Sequence, residues 1–390
     1  MATVRIGGVL LLALFACSAS LAQNQQSMTG SQNGNCGVPA IASDGWKIAP
    51  PVSVGFDAAL LCQWVEHRLA TPADNVHAVV VVRHGSLVFE RYFSGIDDRV
   101  GMGAVGEVAF DRTIQHDIRS ISKSVTSLLF GIALEQKKIE NLDQPVFDFF
   151  PEYADLRTPE KDRITLRHLL TMSTGLAWEE ALAFADPKND ESQMARASDP
   201  YRYVLERPLA TAPGTKYNYS GGATALLGAI LTKKTGQKLD DFARANLFDP
   251  LGIADFEWVK LANGDPAAWA GLRLKPRDLA KIGQLVLNRG SWNGRQIVPA
   301  AYVEESTKPQ IVGAAYLYLY GYQWWLGRSV ANHRAVDWAA GVGLGGQRVF
   351  VVPALDLVVV TTAGMYTSRG QDRPPMEILN DYVLPAIRDN

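Results

Sequence analysis

Hydrophobic residues follow two rhythms along this chain. Residues 77–95, HAVVVVRHGSLVFERYFSG, form two runs of β-branched and aromatic residues about His84-Gly85, the pattern of a β-hairpin. Near the far end, QRVFVVP and LDLVVVTTAG read as two strands joined by a Pro-Ala turn. Elsewhere the apolar spacing is helical. FDAALLCQWVEHRLA (56–70) predicts a helix stopped by Pro72. SISKSVTSLLFGIALEQ (120–136) predicts a buried helix, and TLRHLLTMSTG (165–175) a short one running from Thr165 to Gly175. GGATALLGAILTKKTG (221–236) predicts a helix capped by Gly236. LDDFARANLFDPLG (239–252) and KPRDLAKIGQLVLNRG (275–290) predict two more, the latter with Pro276 just inside its start and Gly290 at its end. MEILNDYVLPAIR predicts a final helix.

Strands thus gather toward the two ends and helices fill the middle. That order predicts an α+β fold rather than alternating βαβ units. The chain ends would meet in an antiparallel sheet flanked by helices, with an inserted, mainly helical lobe over roughly residues 140–275. A groove between lobes is the expected place for a site. No repeat of solenoid or propeller length is present.

The N-terminal segment changes the picture of where the protein works. Arg5, the short apolar run IGGVLLLALFA and then ASLA, with small Ser20 and Ala22 before Gln23, predict a cleaved signal peptide over residues 1–22. The run is too short for a stable membrane span. Cys17 suggests a lipoprotein, but Phe15 is bulky for a lipobox, which favours plain cleavage near Ala22 and a periplasmic or secreted product. Residues 23–55, rich in Gln, Asn, Ser, Gly and Pro, read as an irregular lead-in to a domain over 56–390. Cleavage leaves Cys36 and Cys62, which either pair or stand as two unrelated small residues.

At 47% hydrophobic and 20% charged residues the chain can fill a large core, and a net charge of -2 without long runs of one sign gives no sign of nucleic acid or an anionic membrane surface as partner. The oligomeric state is left open. Six histidines (His67, His77, His84, His116, His168 and His333) show no H-E-x-x-H and no zinc-ligand pair on one helix face, and G-x-S-x-G and P-loop motifs are absent. GVGLGG (341–346) matches the dinucleotide fingerprint through Gly341, Gly343 and Gly346. Such a loop must follow a strand and open a helix. Here ANHRAVDWAA is not a clean apolar strand and a strand hairpin follows, which sets the nucleotide reading aside.

RSISKS places Ser120 and Lys123 one turn apart on one face at a helix start. A serine hydroxyl needs a base, and a lysine desolvated by the apolar VTSLLFGIAL could serve with a lowered pKa. The helix N-terminus adds a free N–H for an oxyanion. Tyr219, before a buried helix, could relay protons. The glycine-rich edge around Gly343 would let a substrate carbonyl approach backbone N–H groups. Taken singly, each has an ordinary reading as cap, plug or turn.

Together these segments resemble the serine β-lactamase and penicillin-binding protein superfamily, in its class C-like branch, which includes esterases and 6-aminohexanoate-dimer hydrolases. The resemblance rests on RSISKSVTSLLFGIAL, ITLRHLLTMSTGL, PGTKYNYSGGATALLG and GGQRVFVVPALDLVVVTTAG. It implies Ser120 as acylated nucleophile, Lys123 as its base and Tyr219 as the tyrosine of Y-x-N. The N–H groups of Ser120 and Leu344, beside Gly343, would form the oxyanion hole. No metal or organic cofactor is implied. Two departures stand out: Gly221 occupies the Asn position of Y-x-N, and GVG or AAG replaces K-T-G, removing the cation that grips a substrate carboxylate. The expected activity is therefore hydrolysis of a small amide or ester by an acyl-enzyme. β-Lactamase or D-alanyl-D-alanine carboxypeptidase activity, and a non-catalytic binding module on the same fold, are the alternatives. The aromatic stretch AAYLYLYGYQWWLG (314–327) offers Tyr316, Tyr318, Tyr322 or Trp324 as an acyl-pocket wall, or as plain packing.

Overall fold

The computed structural model describes residues 38–313, 318–331 and 333–388. The expected signal peptide, its cleavage site, Cys17, Cys36 and Tyr316 lie outside the described residues.

A nine-stranded sheet organises the chain. Its strands are β1 (Lys47–Ile48), β2 (Val76–Arg83), β3 (Ser86–Tyr92), β4 (Ile311–Val312), β5 (Leu319–Tyr320), β6 (Trp325–Ala331), β7 (Arg334–Gly343), β8 (Gln347–Val352) and β9 (Leu357–Ala363). Their spatial order is β1-β3-β2-β9-β8-β7-β6-β5-β4. Pairing is antiparallel except between β1 and β3. His84 (φ 50°) and Gly85 (φ 70°) both take left-handed backbone, as a tight two-residue hairpin requires. Every residue of β2, β8 and β9 is buried, which is why these strands read as continuous apolar runs. The two ends of the chain meet where β2 pairs with β9, Val80 opposite Val360.

Four helices matter for the site or its support: α1 (Ala58–Ala70), α2 (Ile121–Glu135), α3 (Gly221–Thr235) and α4 (Pro276–Leu287). Asp57 caps α1, its carboxylate accepting from Ala59 N at 3.0 Å. α4 packs on β9, β8 and β2. Gly283 allows this approach, since a Cβ there would lie 2.5 Å from Val358 Cγ1. α2 packs against α3 on one side and β7 on the other, so it lies where the helical segments meet the sheet. One continuous core joins Val80 and Val358 of the sheet, Leu128 of α2 and Leu226 of α3.

The structure corrects several expectations. ANHRAVDWAA is not outside a strand: from Arg334 onward it is β7, whose last three residues are Gly341, Val342 and Gly343. Pairing to β6 and β8 holds this polar sequence extended, an override of local apolarity by sheet partners. The dinucleotide reading still fails, because β8 rather than a helix follows. The lead-in is not wholly irregular: β1 lies in it, Trp46 is buried, and Asp44 pairs with Arg277 at 2.7 Å. The helix from Thr165 ends at Leu170, followed by Met172 at φ 56°. The helices expected over 239–252 and at the C-terminus both continue as π-helical turns, Arg244–Phe248 and Ile378–Val383.

Candidate active site

Ser120 sits at the N-cap of α2, directly after an unusual residue. Arg119 has φ 50°, a left-handed conformation that costs a non-glycine residue energy and persists only where its surroundings hold it. Those surroundings are specific. Arg119 Nη2 donates to Asp98 O (2.6 Å) and Asp98 Oδ1 (2.9 Å), and its guanidinium lies 4.1 Å from the Tyr366 ring centre. The turn presents Ser120 at the mouth of the first helical turn, one turn ahead of Lys123.

Lys123 is almost fully buried, with 1% of its side chain exposed. Its ammonium donates to Ser120 Oγ (2.9 Å) and to Trp269 O (3.2 Å), and lies 4.7 Å from the Tyr219 ring centre. Glu180 Oε1 stands 3.8 Å away. Burial by itself lowers the lysine pKa, but the acidic groups around it, Tyr219, Glu180 and Glu191, outweigh that and hold the ammonium above the ordinary lysine value. This reverses the expected lowering, because the apolar face of α2 is not what the ammonium sees. Burial raises the Tyr219 phenol above its ordinary value, with Lys123 pulling the other way.

The expected site residues come together from distant segments. Tyr219 lies one residue ahead of Ser220, the N-cap of α3, whose hydroxyl accepts from Ala223 N at 3.1 Å. Gly343 and Gly341 bring β7 onto the helix that starts at Ser120. A Cβ at Gly343 would lie 2.4 Å from Ile118 O, and one at Gly341 would lie 3.0 Å from Ile121 Cγ2. Leu344 follows in the β7–β8 turn, 46% exposed. Of the aromatic candidates, Tyr322 and Trp324 are buried in the core. Tyr318 meets Trp325 edge to face and Trp338 at a tilt, and it is Trp325 that reaches Tyr219, with ring centres 5.6 Å apart.

Other residues of the site gave no signal in the sequence. Glu180 follows a short helix in the unremarkable string AWEE, and Glu191 lies in another short helix. Glu180 Oε2 accepts from Trp178 Nε1 (2.7 Å) and from Gly221 N (2.5 Å). The Glu191 carboxyl lies among Glu180, Trp269 and the bare Cα of Gly221. Burial first, then the charge of Glu180, push Glu191 up to about 8 against the pull of Lys123. Arg348, on β8, is a buried cation beneath the glycine edge. It donates to Gly343 O (3.2 Å) and Gln347 O (2.8 Å) and pairs with Asp372.

Among the described residues, two groups of side chains bring three ligand-type atoms within 4.8 Å of one another. One, His77, Asp97 and His116, is fully buried. Its facing nitrogens, His77 Nδ1 and His116 Nε2, are 2.8 Å apart. Two nitrogens on one tetrahedral zinc stand roughly 3.3 Å apart, so this spacing is that of a hydrogen bond. The other, His67, Asp74 and Glu377, has the Arg373 guanidinium paired to both carboxylates, which opposes a second cation.

Ser120, the buried Lys123 and Tyr219 thus stand together, faced by a strand edge of glycine, an arrangement with the chemistry to support nucleophilic catalysis. Comparison with known proteins agrees. The chain is 29% identical to esterase EstB of Burkholderia gladioli over 230 residues, 56% of this chain and 54% of that protein. It thus spans about half of that relative's length. It is 24% identical to the 6-aminohexanoate-dimer hydrolase of Paenarthrobacter ureafaciens over 307 residues, 73% of this chain and 71% of that protein. The fold matches a putative 6-aminohexanoate-dimer hydrolase from Bacillus anthracis with a TM-score of 0.64 at 22% identity, covering 80% of this chain and 79% of that one. The family model described as Beta-lactamase matches residues 63–383. The chain belongs to the Beta-lactamase family.

Proposed function

We propose that this chain is an exported hydrolase that cleaves a small ester or amide through an acyl-enzyme on Ser120. The observation that carries the reading is the 2.9 Å hydrogen bond from the buried Lys123 ammonium to Ser120 Oγ, beside the Tyr219 phenol. Lys123 and Tyr219 act together as the base once the pair has lost one proton. The proton of Ser120 passes to that pair as Oγ attacks the substrate carbonyl. The N–H groups of Ser120 and Leu344 receive the oxyanion, and Tyr219 returns the proton to the leaving group. Water then repeats the sequence on the acyl-enzyme.

The site favours substrates without a carboxylate to be gripped. Gly221 supplies no amide side chain, and the nearest buried cation at the glycine edge, Arg348, already serves Asp372, Gly343 and Gln347. The names of the esterase and the 6-aminohexanoate-dimer hydrolase among the relatives support an ester or amide. Export is supported by the apolar N-terminal run and by Cys62, which is disulfide-bonded.

Purified protein should hydrolyse p-nitrophenyl esters and be labelled at Ser120 by a fluorophosphonate, located by mass spectrometry. Ser120→Ala should lose at least about a thousandfold in kcat with an unchanged circular dichroism spectrum. Undiminished turnover in that variant would end the proposal.

A further inference from the structure

We propose that Glu180 and Glu191 form a hydrogen-bonded carboxyl–carboxylate pair holding one proton, and that Glu180, its ionised member, is a positioning residue that fixes the charge of Lys123. The proposal rests on the reading of Ser120, Lys123 and Tyr219 as the acylating site, and adds a proton store to it.

The pair occupies space that Gly221 leaves open. Where the resemblance leads one to expect an asparagine, a Cβ would stand 3.1 Å from Glu191 Oε2 and 3.3 Å from Glu180 Oε2. The missing side chain and the two carboxyls are one feature seen from two sides. The surroundings also decide where the proton sits. Glu180 has two neutral N–H donors on Oε2, from Trp178 and Gly221, and the Lys123 ammonium facing Oε1. The Gly221 N–H belongs to the first turn of α3, where the helix dipole favours an anion. Glu191 has Trp269 and Glu180 itself. Two buried carboxylates side by side repel, and a single ammonium balances only one. The proton therefore rests on Glu191, which donates to Glu180.

The other groups facing this cluster leave that balance intact. Lys123 also sees Ser120 Oγ, Trp269 O and Tyr219. Glu180 also faces the phenols of Tyr217, Tyr219 and Tyr320, each raised above its ordinary value by burial and hence neutral near pH 7. Arg348 approaches from the Tyr219 side with Asp372 as its partner. Glu180 is thus the fixed anion that holds the ammonium in its charged form. It sets how readily the Lys123–Tyr219 pair gives up the proton that activates Ser120.

The test is the pH profile of kcat/KM on a p-nitrophenyl ester for wild type, Glu180→Gln and Glu191→Gln, with fluorophosphonate labelling of Ser120 in each. Removing the anion beside Lys123 should lower the acid limb of the Glu180→Gln profile by about one pH unit or more. In Glu191→Gln, whose amide donates to Glu180 as the protonated carboxyl does, the acid limb should stay in place. A second transition near pH 8, present in wild type, should vanish. A Glu180→Gln enzyme that loses activity equally at every pH, its limb unmoved, overturns the proposal in favour of a purely structural glutamate. Should Glu180→Gln not fold, wild-type and Glu191→Gln profiles that coincide through pH 8 overturn it instead. Absence of Ser120 labelling in wild type would fail the hydrolase reading, a different result from either.

Discussion

Gly343 shows how much of the site depends on an absent side chain. Its Cα hydrogen faces the backbone carbonyl of Ile118, two residues before the nucleophile, and a methyl group would approach that oxygen to 2.4 Å. Neither partner is a flexible side-chain end, so the backbone of β7 or of the segment before Ser120 must move. Gly343→Ala should lower stability by about 1–3 kcal/mol, as overpacking does. It should also reduce ester kcat at least tenfold, because displacement of the oxyanion edge misplaces the reacting carbonyl. Paired thermal melts and initial rates measure both; a variant with a lowered melting temperature but wild-type kcat would separate packing from catalysis. At this scale the sequence was uneven in what it disclosed. That Ser120, Lys123 and Tyr219 would stand together was legible from their fixed spacing and from the apolar helices behind them. Glu180, Glu191 and Arg348 were not, since a carboxylate in a loop or an arginine in a strand looks like any surface charge until the chain brings it inside. The lysine's electrostatics were misread for the same reason: Glu180, 57 positions further along the chain, is what brings a carboxylate to its ammonium.

The start of α3 is the element in which the departure from Y-x-N has its effect. Ser220 caps the helix, Gly221 N donates to Glu180, and the bare Cα of Gly221 faces Glu191 and Trp269. Gly221→Asn, although it restores the motif, should therefore cost rather than gain. Its Cβ would press on Glu191 Oε2 and Trp269 Cδ1, both at 3.1 Å. We expect ester turnover to fall at least tenfold with no gain in nitrocefin hydrolysis, and Gly221→Asn combined with Glu191→Ala to recover part of the loss. If the single variant instead gained nitrocefin turnover, the two carboxyls would not be the obstacle. Element types were well read where period and caps agreed, as in α3 with Gly236 in left-handed backbone. They failed where tertiary pairing decides: β7 is polar in sequence and a strand because β6 and β8 flank it.

Across the whole molecule, buried titratable groups set the conditions under which the fold holds. His77 and His116 sit against Phe110 and hydrogen-bond each other, and burial pushes both down to about 3. Their neutral forms are favoured in the folded state. Between about pH 3 and their ordinary value of 6.5, the unfolded chain binds protons that the folded chain does not. Their contribution to stability is full above pH 6.5 and is lost as pH falls toward 3. His116→Gln should flatten the fall in melting temperature between pH 6.5 and 4; a parallel pair of curves would show that other groups govern acid unfolding. The overall architecture was the most legible level of all, because strands at both ends and helices between them leave few ways to close one antiparallel sheet.

That closure also orders events in time. β2 pairs with β3 within its hairpin, but its other edge is filled only by β9, so the middle of the sheet joins Val80 to Val360 across most of the sequence. Contacts so distant along the chain form slowly, since a long loop must be closed before they stabilise anything. A chain emerging from the ribosome carries Ser120 and Lys123 long before it carries the strands that face them. The fold therefore cannot assemble piecemeal: Ser120 gains the glycine edge of β7 and a finished sheet in the same late step, once the last strand has arrived.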